Sequence, residues 1–156
     1  MDLLARTRES DDWAVPSGNS AAALLLLRLG AITADPGFSE RGREVLRALS
    51  GSLDRLPMGA PSLLMALDFD LGPAREVVLT GDPASEGFRA LERSLSRRFL
   101  PRTVVLRRTE DAAGREIASL LPWTAAHGPV DGKPAAYVCS GGACRSPVTE
   151  EERLYD

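Results

Sequence analysis

Lysine is nearly absent from this sequence: 18 of its 19 basic residues are arginine, and Lys133 is the exception. We read that bias as genomic base composition. Histidine occurs once, at His127, and cysteine twice, at Cys139 and Cys144. Two cysteines exclude a disulfide-dense secreted scaffold. One histidine leaves no Ser–His or Cys–His arrangement that spacing could place. The longest apolar run, Ala21 to Leu27, is far short of the roughly 20 residues of a membrane span. The opening residues Met1 to Arg6 lack a basic segment followed by an apolar one, so no secretory signal is read. Basic charge is not in surplus either. A net charge of -3 argues against broad binding to nucleic acid or to an anionic membrane. These absences point to a cytoplasmic, reducing setting. Neither G-x-G-x-x-G nor a P-loop occurs, so nothing signals a nucleotide, and no cofactor is expected.

What remains is ordinary globular material: 156 residues, 44% hydrophobic and 26% charged. Such a chain can bury a core without staples. The pattern is helical up to Leu71-Gly72-Pro73 and then turns to short β-branched runs. A helix is expected over 21–34, capped by Asn19 or Ser20 and apolar nearly all round, hence buried on most sides. Pro36-Gly37 reads as a break. A one-sided helix over 39–55 follows, with Phe38, Val45, Leu46, Leu49, Leu53 and Leu56 on its stripe. A third, largely apolar helix starts at Pro61 and ends before Gly72. This alternation suits an array of helical hairpins.

The second half reads as strand 76–80, helix 85–100 with Phe88, Leu91, Leu95 and Phe99 buried, and strand 103–106, a parallel βαβ unit. A short helix over 116–121, a strand over 135–139 and a capped turn from Thr149 complete it. The fold class is α+β, with residues 1–73 helical and residues 74–156 a small α/β unit with a short, mainly parallel sheet.

Several constellations could carry chemistry. Cys139 and Cys144 flank Ser140-Gly141-Gly142-Ala143, and the two glycines let the chain double back so that the thiols could meet. A reversible disulfide, half of a metal site and two idle thiols near a turn all fit. The spacing is not the C-x-x-C of thioredoxin-like sites. Two cysteines and a histidine fall short of the four ligands of a structural zinc site, and His127 lies in a separate Gly/Pro-rich loop, read as exposed. No metal site is therefore expected. Arg89, Arg93, Arg97 and Arg98 read as a solvated helix face, because no aromatics interleave with them. Gly81-Asp82 sits where α/β sheets place ligands, yet carries no motif. Asp11, Asp12, Trp13, Ser17 and Asn19 resemble the wall of a sugar pocket, since carboxylates bind hydroxyls and an indole stacks on a pyranose. They read equally well as a capping loop before the first helix.

Five segments together resemble a known family: Leu4 to Ser10, Pro16 to Ser20, Ala66 to Pro73, Gly128 to Pro134, and Tyr137 to Cys144 with Pro147-Val148-Thr149. They are similar to the C-terminal part of the spermatogenesis-associated protein 20-like family. In that family a thioredoxin-like domain precedes an α/α toroid related to six-hairpin glycosidases and N-acylglucosamine 2-epimerases. The resemblance implies that residues 1–73 are the last helices of an incomplete toroid. It implies a carbohydrate ligand at Asp11, Asp12, Trp13, Ser17 and Asn19, with catalysis belonging to a larger whole. It also implies a redox role for Cys139 and Cys144, served by the thioredoxin-like domain. A noncatalytic interaction module is the third reading. The apolar helices then need the remainder of the toroid, or self-association, to cover them.

Overall fold

The computed structural model describes residues 11–154. The Leu4 to Ser10 segment lies outside the described residues. The described residues form two compact units, 11–30 with 35–72, and 31–34 with 73–154.

The first unit holds helix α1 (Gly18–Thr33) up to Gly30, α2 (Pro36–Arg55) and α3 (Pro61–Leu71), with a 3-10 turn at Pro57–Gly59. The break before α2 falls at Ala34, which takes a positive φ of 56°. Pro36 and Gly37 open the helix instead of interrupting it. Proline suits the first turn, where its missing N–H has no partner to lose, and Asp35 caps by accepting from the Gly37 amide at 2.8 Å. The α1 cap is Ser17, whose hydroxyl accepts from the Ser20 amide at 3.1 Å, two or three residues before the expected Asn19 or Ser20. α1 buries Ser20, Ala23, Leu27 and Gly30, while Leu25 is 58% exposed. In α3, Leu63, Ala66 and Phe69 are buried, and Met65 and Leu71 face out. Two helices expected to be covered on most sides thus have one buried stripe each.

The second unit is built on a four-stranded sheet, in the order β2 (Thr103–Thr109), β1 (Arg75–Gly81), β3 (Ala135–Ser140), β4 (Ala143–Cys144). β1 and β2 are parallel and joined by α4 (Glu86–Ser96), as a βαβ unit requires. β3 runs antiparallel to β1, and β4 antiparallel to β3. The sheet is therefore mixed, with one parallel pair, and the mainly parallel expectation is corrected. A short apolar run fixes that a strand is buried but carries no sign of its direction. α4 stops at Ser96, and Phe99, expected on its buried stripe, is 91% exposed.

Alternation along β1 sends side chains to two layers. Val77, Leu79 and Ala136 pack with Phe88, Leu91 and Leu95 of α4 and with Leu154. On the other face Val78 and Leu106 meet Leu121, with Ile32, Ile117, Trp123 and Tyr137 around them. This second layer comes from α5 (Ala112–Leu120) and the 3-10 turn Pro122–Thr124, and it positions the loop that carries His127. α5 starts four residues earlier than the sequence suggested. Its cap is Asp111, which accepts from the Gly114 amide at 3.0 Å and from the Thr109 hydroxyl at 2.6 Å. Those bonds hold the Asp111 carboxyl below its usual range.

Candidate functional site

The sheet ends in a turn that brings the two cysteines together. Gly141 and Gly142 have φ values of 59° and 83°, the left-handed pair that a two-residue type I′ hairpin needs. That turn places Ser140 opposite Ala143 and Cys139 opposite Cys144. The two sulfurs are joined in a disulfide, with Cα atoms 3.9 Å apart and a sequence separation of 5. The sulfurs differ in access. Cys139 is 3% exposed, whereas Cys144 lies on the exposed two-residue strand at the sheet's edge.

His127 lies beside this pair, and the exposed-loop expectation for it is corrected: it is 9% exposed. Its backbone amide donates to the Thr124 carbonyl at 3.0 Å, continuing the turn that follows α5. Its ring sits edge-on to Tyr137, with centroids 4.6 Å apart, and to Trp123 at 5.9 Å. Those aromatics are themselves tied down. The Tyr137 hydroxyl donates to the Gly128 carbonyl at 2.8 Å, and the Trp123 indole N–H to the Ile32 carbonyl at 2.9 Å. So held, His127 brings Nε2 to 3.4 Å from the Cys144 sulfur. Nδ1 is buried and has no hydrogen-bond partner among the described residues. The ligand atoms of His127, Cys139 and Cys144 all lie within 4.8 Å of one another. Sequence spacing could not show this, because 12 positions separate His127 from Cys139 and a reverse turn at Asp131-Gly132 folds the intervening loop back.

Glu76 completes the surroundings. It faces Cys139 across the β1–β3 pair, so their side chains share a face of the sheet. Burial pushes its carboxyl above the ordinary value, against a smaller opposite pull from its own backbone N–H.

The N-terminal candidates are arranged as a brace. Asp12 accepts from the Ser17 amide at 2.8 Å and from the Ser62 amide at 2.6 Å, one bond to each carboxylate oxygen. It thereby caps α3, whose own preceding residue Ala60 offers no side-chain cap. Burial raises the Asp12 carboxyl, but the hydrogen bonds from Ser17, Ser62 and Ser20 outweigh it and hold the group below its usual value. The Ser17 hydroxyl pairs with the Ser20 hydroxyl at 2.8 Å. Trp13 is 86% exposed, Asp11 is exposed, and Asn19 is half-buried in the first turn of α1.

The other candidates have local work. The Asp82 carboxylate accepts from the Ala84 amide at 2.8 Å in the turn that leads into α4. Arg93 pairs with Glu86 at 2.6 Å, and Arg107 with Glu92 at 3.2 Å, so acids interleave with the arginines. Among the described residues, no helix is long and apolar enough to cross a membrane.

No family model matches the chain, and no solved structure does. Curated relatives do. Spermatogenesis-associated protein 20 of Rattus norvegicus is 27% identical over 149 residues, which are 96% of this chain and 19% of the rat protein. The Homo sapiens protein of that name is 27% identical over 148 residues, 95% of this chain and 19% of its own length. An uncharacterized protein of Caenorhabditis elegans is 32% identical over 158 residues, 98% of this chain and 20% of the worm protein. The chain is thus a homologue of spermatogenesis-associated protein 20 along nearly its whole length, and it spans about a fifth of the length of the relatives it matches.

Proposed function

We propose that the α/β unit is a thiol–disulfide exchange module within a larger assembly, and that Cys139 and Cys144 are its exchanging pair. The observation that carries this reading is the asymmetry of access: one sulfur is open at a sheet edge and the other is buried behind it. Exchange proceeds by in-line attack of a thiolate on one sulfur of a disulfide. Only Cys144 can be reached. A partner dithiol attacks the Cys144 sulfur, a mixed disulfide forms, and the electron pair of the broken bond leaves on the Cys139 sulfur. The partner's second thiolate then attacks its own bridged sulfur and releases the Cys144 thiolate. Two protons from the partner's thiols end, by way of solvent, on Cys139 and Cys144. The chain is reduced by two electrons and the partner becomes a disulfide. His127 faces the sulfur that is attacked and released, and a ring N–H there can donate to the departing thiolate.

The loop closed by this disulfide is short, its ends separated by 5 in sequence. In chain-entropy terms such a loop adds about 2 kcal/mol to stability, against roughly 4.7 kcal/mol for a 100-residue loop. A bond that adds little as a staple suits a switch. The exposed side chains Leu25, Met65 and Leu71 on the helical unit, and the fifth of its relatives that the chain spans, support packing of further helices onto that unit, as in a toroid. The sugar-wall reading of Asp11, Asp12, Trp13, Ser17 and Asn19 has less behind it. Asp12 and Ser17 are engaged in capping, and the exposed Trp13 indole is its main support.

The test is a trapping experiment with a thioredoxin-type protein whose resolving cysteine is removed, leaving one attacking thiol. The native disulfide should form a mixed disulfide that peptide mapping places on Cys144. Linkage through Cys139, or no adduct while the chain stays oxidised, would overturn the assignment.

A further inference from the structure

We infer that the reduced chain holds a zinc ion between the thiolates of Cys139 and Cys144 and Nε2 of His127, so that reduction of the disulfide creates a metal site. It rests on the exchange reading only in that the site waits for the dithiol.

Three observations converge. The three ligand atoms already lie within 4.8 Å of one another, with Nε2 at 3.4 Å from the Cys144 sulfur. Tetrahedral zinc, with Zn–S of about 2.3 Å and Zn–N of about 2.0 Å, sets its ligand atoms about 3.5 to 3.8 Å apart. The imidazole edge is therefore in place before metal arrives. The sulfurs must separate once their bond is broken, and Cys144 is exposed on the two-residue strand after the glycine turn, at the open edge of the sheet.

The second observation is the ring itself. His127 is 9% exposed, fixed edge-on by Tyr137 and Trp123, and its Nε2 lies 3.4 Å from a cysteine sulfur. Nδ1 is buried with no hydrogen-bond partner among the described residues, so it is Nε2 that reaches the sulfurs. With the proton on Nδ1, the Nε2 lone pair points toward the thiolates. The third is ligand chemistry. Two thiolates and one imidazole form a soft donor set that favours zinc over magnesium or calcium. Two thiolates also neutralise the ion, which suits a half-buried position. On binding, each thiol gives its proton to solvent and two Zn–S bonds form. Three protein ligands leave the fourth position open to water on the exposed Cys144 side.

The experiment uses the full chain, reduced with a phosphine under argon and freed of reductant, then titrated with zinc against a chromogenic chelator. Cobalt(II) serves as the spectroscopic substitute. One zinc per chain and a thiolate-to-cobalt charge-transfer band are expected. The oxidised chain is the same protein with no thiolate, so it controls for any folding defect. It should bind at least about 100-fold more weakly, because two of three ligands are gone. His127→Asn in the reduced state should weaken binding by about 100-fold, the upper end of what loss of a mere outer-shell partner costs. Circular dichroism checks that the variant folds. Equal affinity of the reduced and oxidised chains would overturn the inference. Unchanged affinity in a folded His127→Asn chain would do so too. Chemical reduction keeps the two ideas apart: failure of a protein dithiol to reduce the pair sinks exchange, while failure of the phosphine-reduced chain to bind zinc sinks the metal site.

Discussion

Replacing Gly114 by alanine should damage the α/β unit, although alanine is the better helix former. Gly114 is the third residue of α5, and its amide donates to the Asp111 cap at 3.0 Å. A β-carbon there would lie 1.7 Å from the Thr109 carbonyl oxygen, 2.4 Å from its carbon and 2.5 Å from the Thr109 nitrogen. Those atoms belong to the backbone of β2, so no rotamer relieves the clash. The helix must lift off the strand, which breaks the Asp111 cap and displaces the turn that carries Trp123 and His127. Overpacking costs about 1 to 3 kcal/mol and a lost cap about 1 kcal/mol, against a propensity gain of about 1 kcal/mol. With the clash on rigid backbone, the upper end applies, and a net loss of about 3 kcal/mol follows. For a unit of this size each kcal/mol moves the melting midpoint by roughly 4 to 8 °C, so a drop of about 15 °C is expected. Gly51 provides the contrast, because a β-carbon there meets nothing within 4 Å. Gly51→Ala in the exposed face of α2 should raise stability by up to about 1 kcal/mol. Thermal and urea melts of both variants decide it. A Gly114→Ala chain as stable as the parent would show that α5 does not lie so close on β2.

Other expectations concern the carboxylates. Asp12→Asn should cost the helical unit about 1 kcal/mol at neutral pH, since the neutral amide accepts more weakly from Ser17 and Ser62. The Asp12 carboxyl is held low in the fold, so its contribution is present above the ordinary value of 3.8 and lost as pH falls through and below it. The variant should therefore lose less stability than the parent between neutral pH and that acid range, as urea midpoints against pH would record. Glu76 has the opposite sign: its carboxyl is raised by burial, so the folded state loses stability as pH rises through and above the ordinary value of 4.5. Glu76→Gln should be more stable than the parent at neutral pH and no different in acid. A parent-like profile would show that this carboxyl is solvated.

Much of the fold was legible because the signals were strong and local. The helix over 61–71, the strands over 76–80 and 103–106 and the α4 stripe through Phe88, Leu91 and Leu95 all follow from periodicity. What failed depended on distant partners. Strand direction is invisible in Ala135-Ala136-Tyr137-Val138-Cys139, because either direction buries the same residues. Phe99 fitted the α4 period, but the chain had left the helix at Ser96 before reaching it. At the candidate site, the Gly141-Gly142 turn announced that the thiols could meet. The place of His127 did not show, since it depends on a loop folded back at Asp131-Gly132 and on aromatic contacts with Trp123 and Tyr137. The Asp12 bond to Ser62 spans 50 positions, and no local rule reaches that far.

The central claim is that the Cys139–Cys144 pair changes state within a cell's range. Its most direct measurement is a redox equilibrium of the whole chain in glutathione buffers, quenched by alkylation and read by mass. A two-electron transition with a midpoint above about -300 mV is predicted, within reach of a thiol pool. A pair that stays fully oxidised in the most reducing of these buffers would be a structural staple, and the exchange account would be wrong.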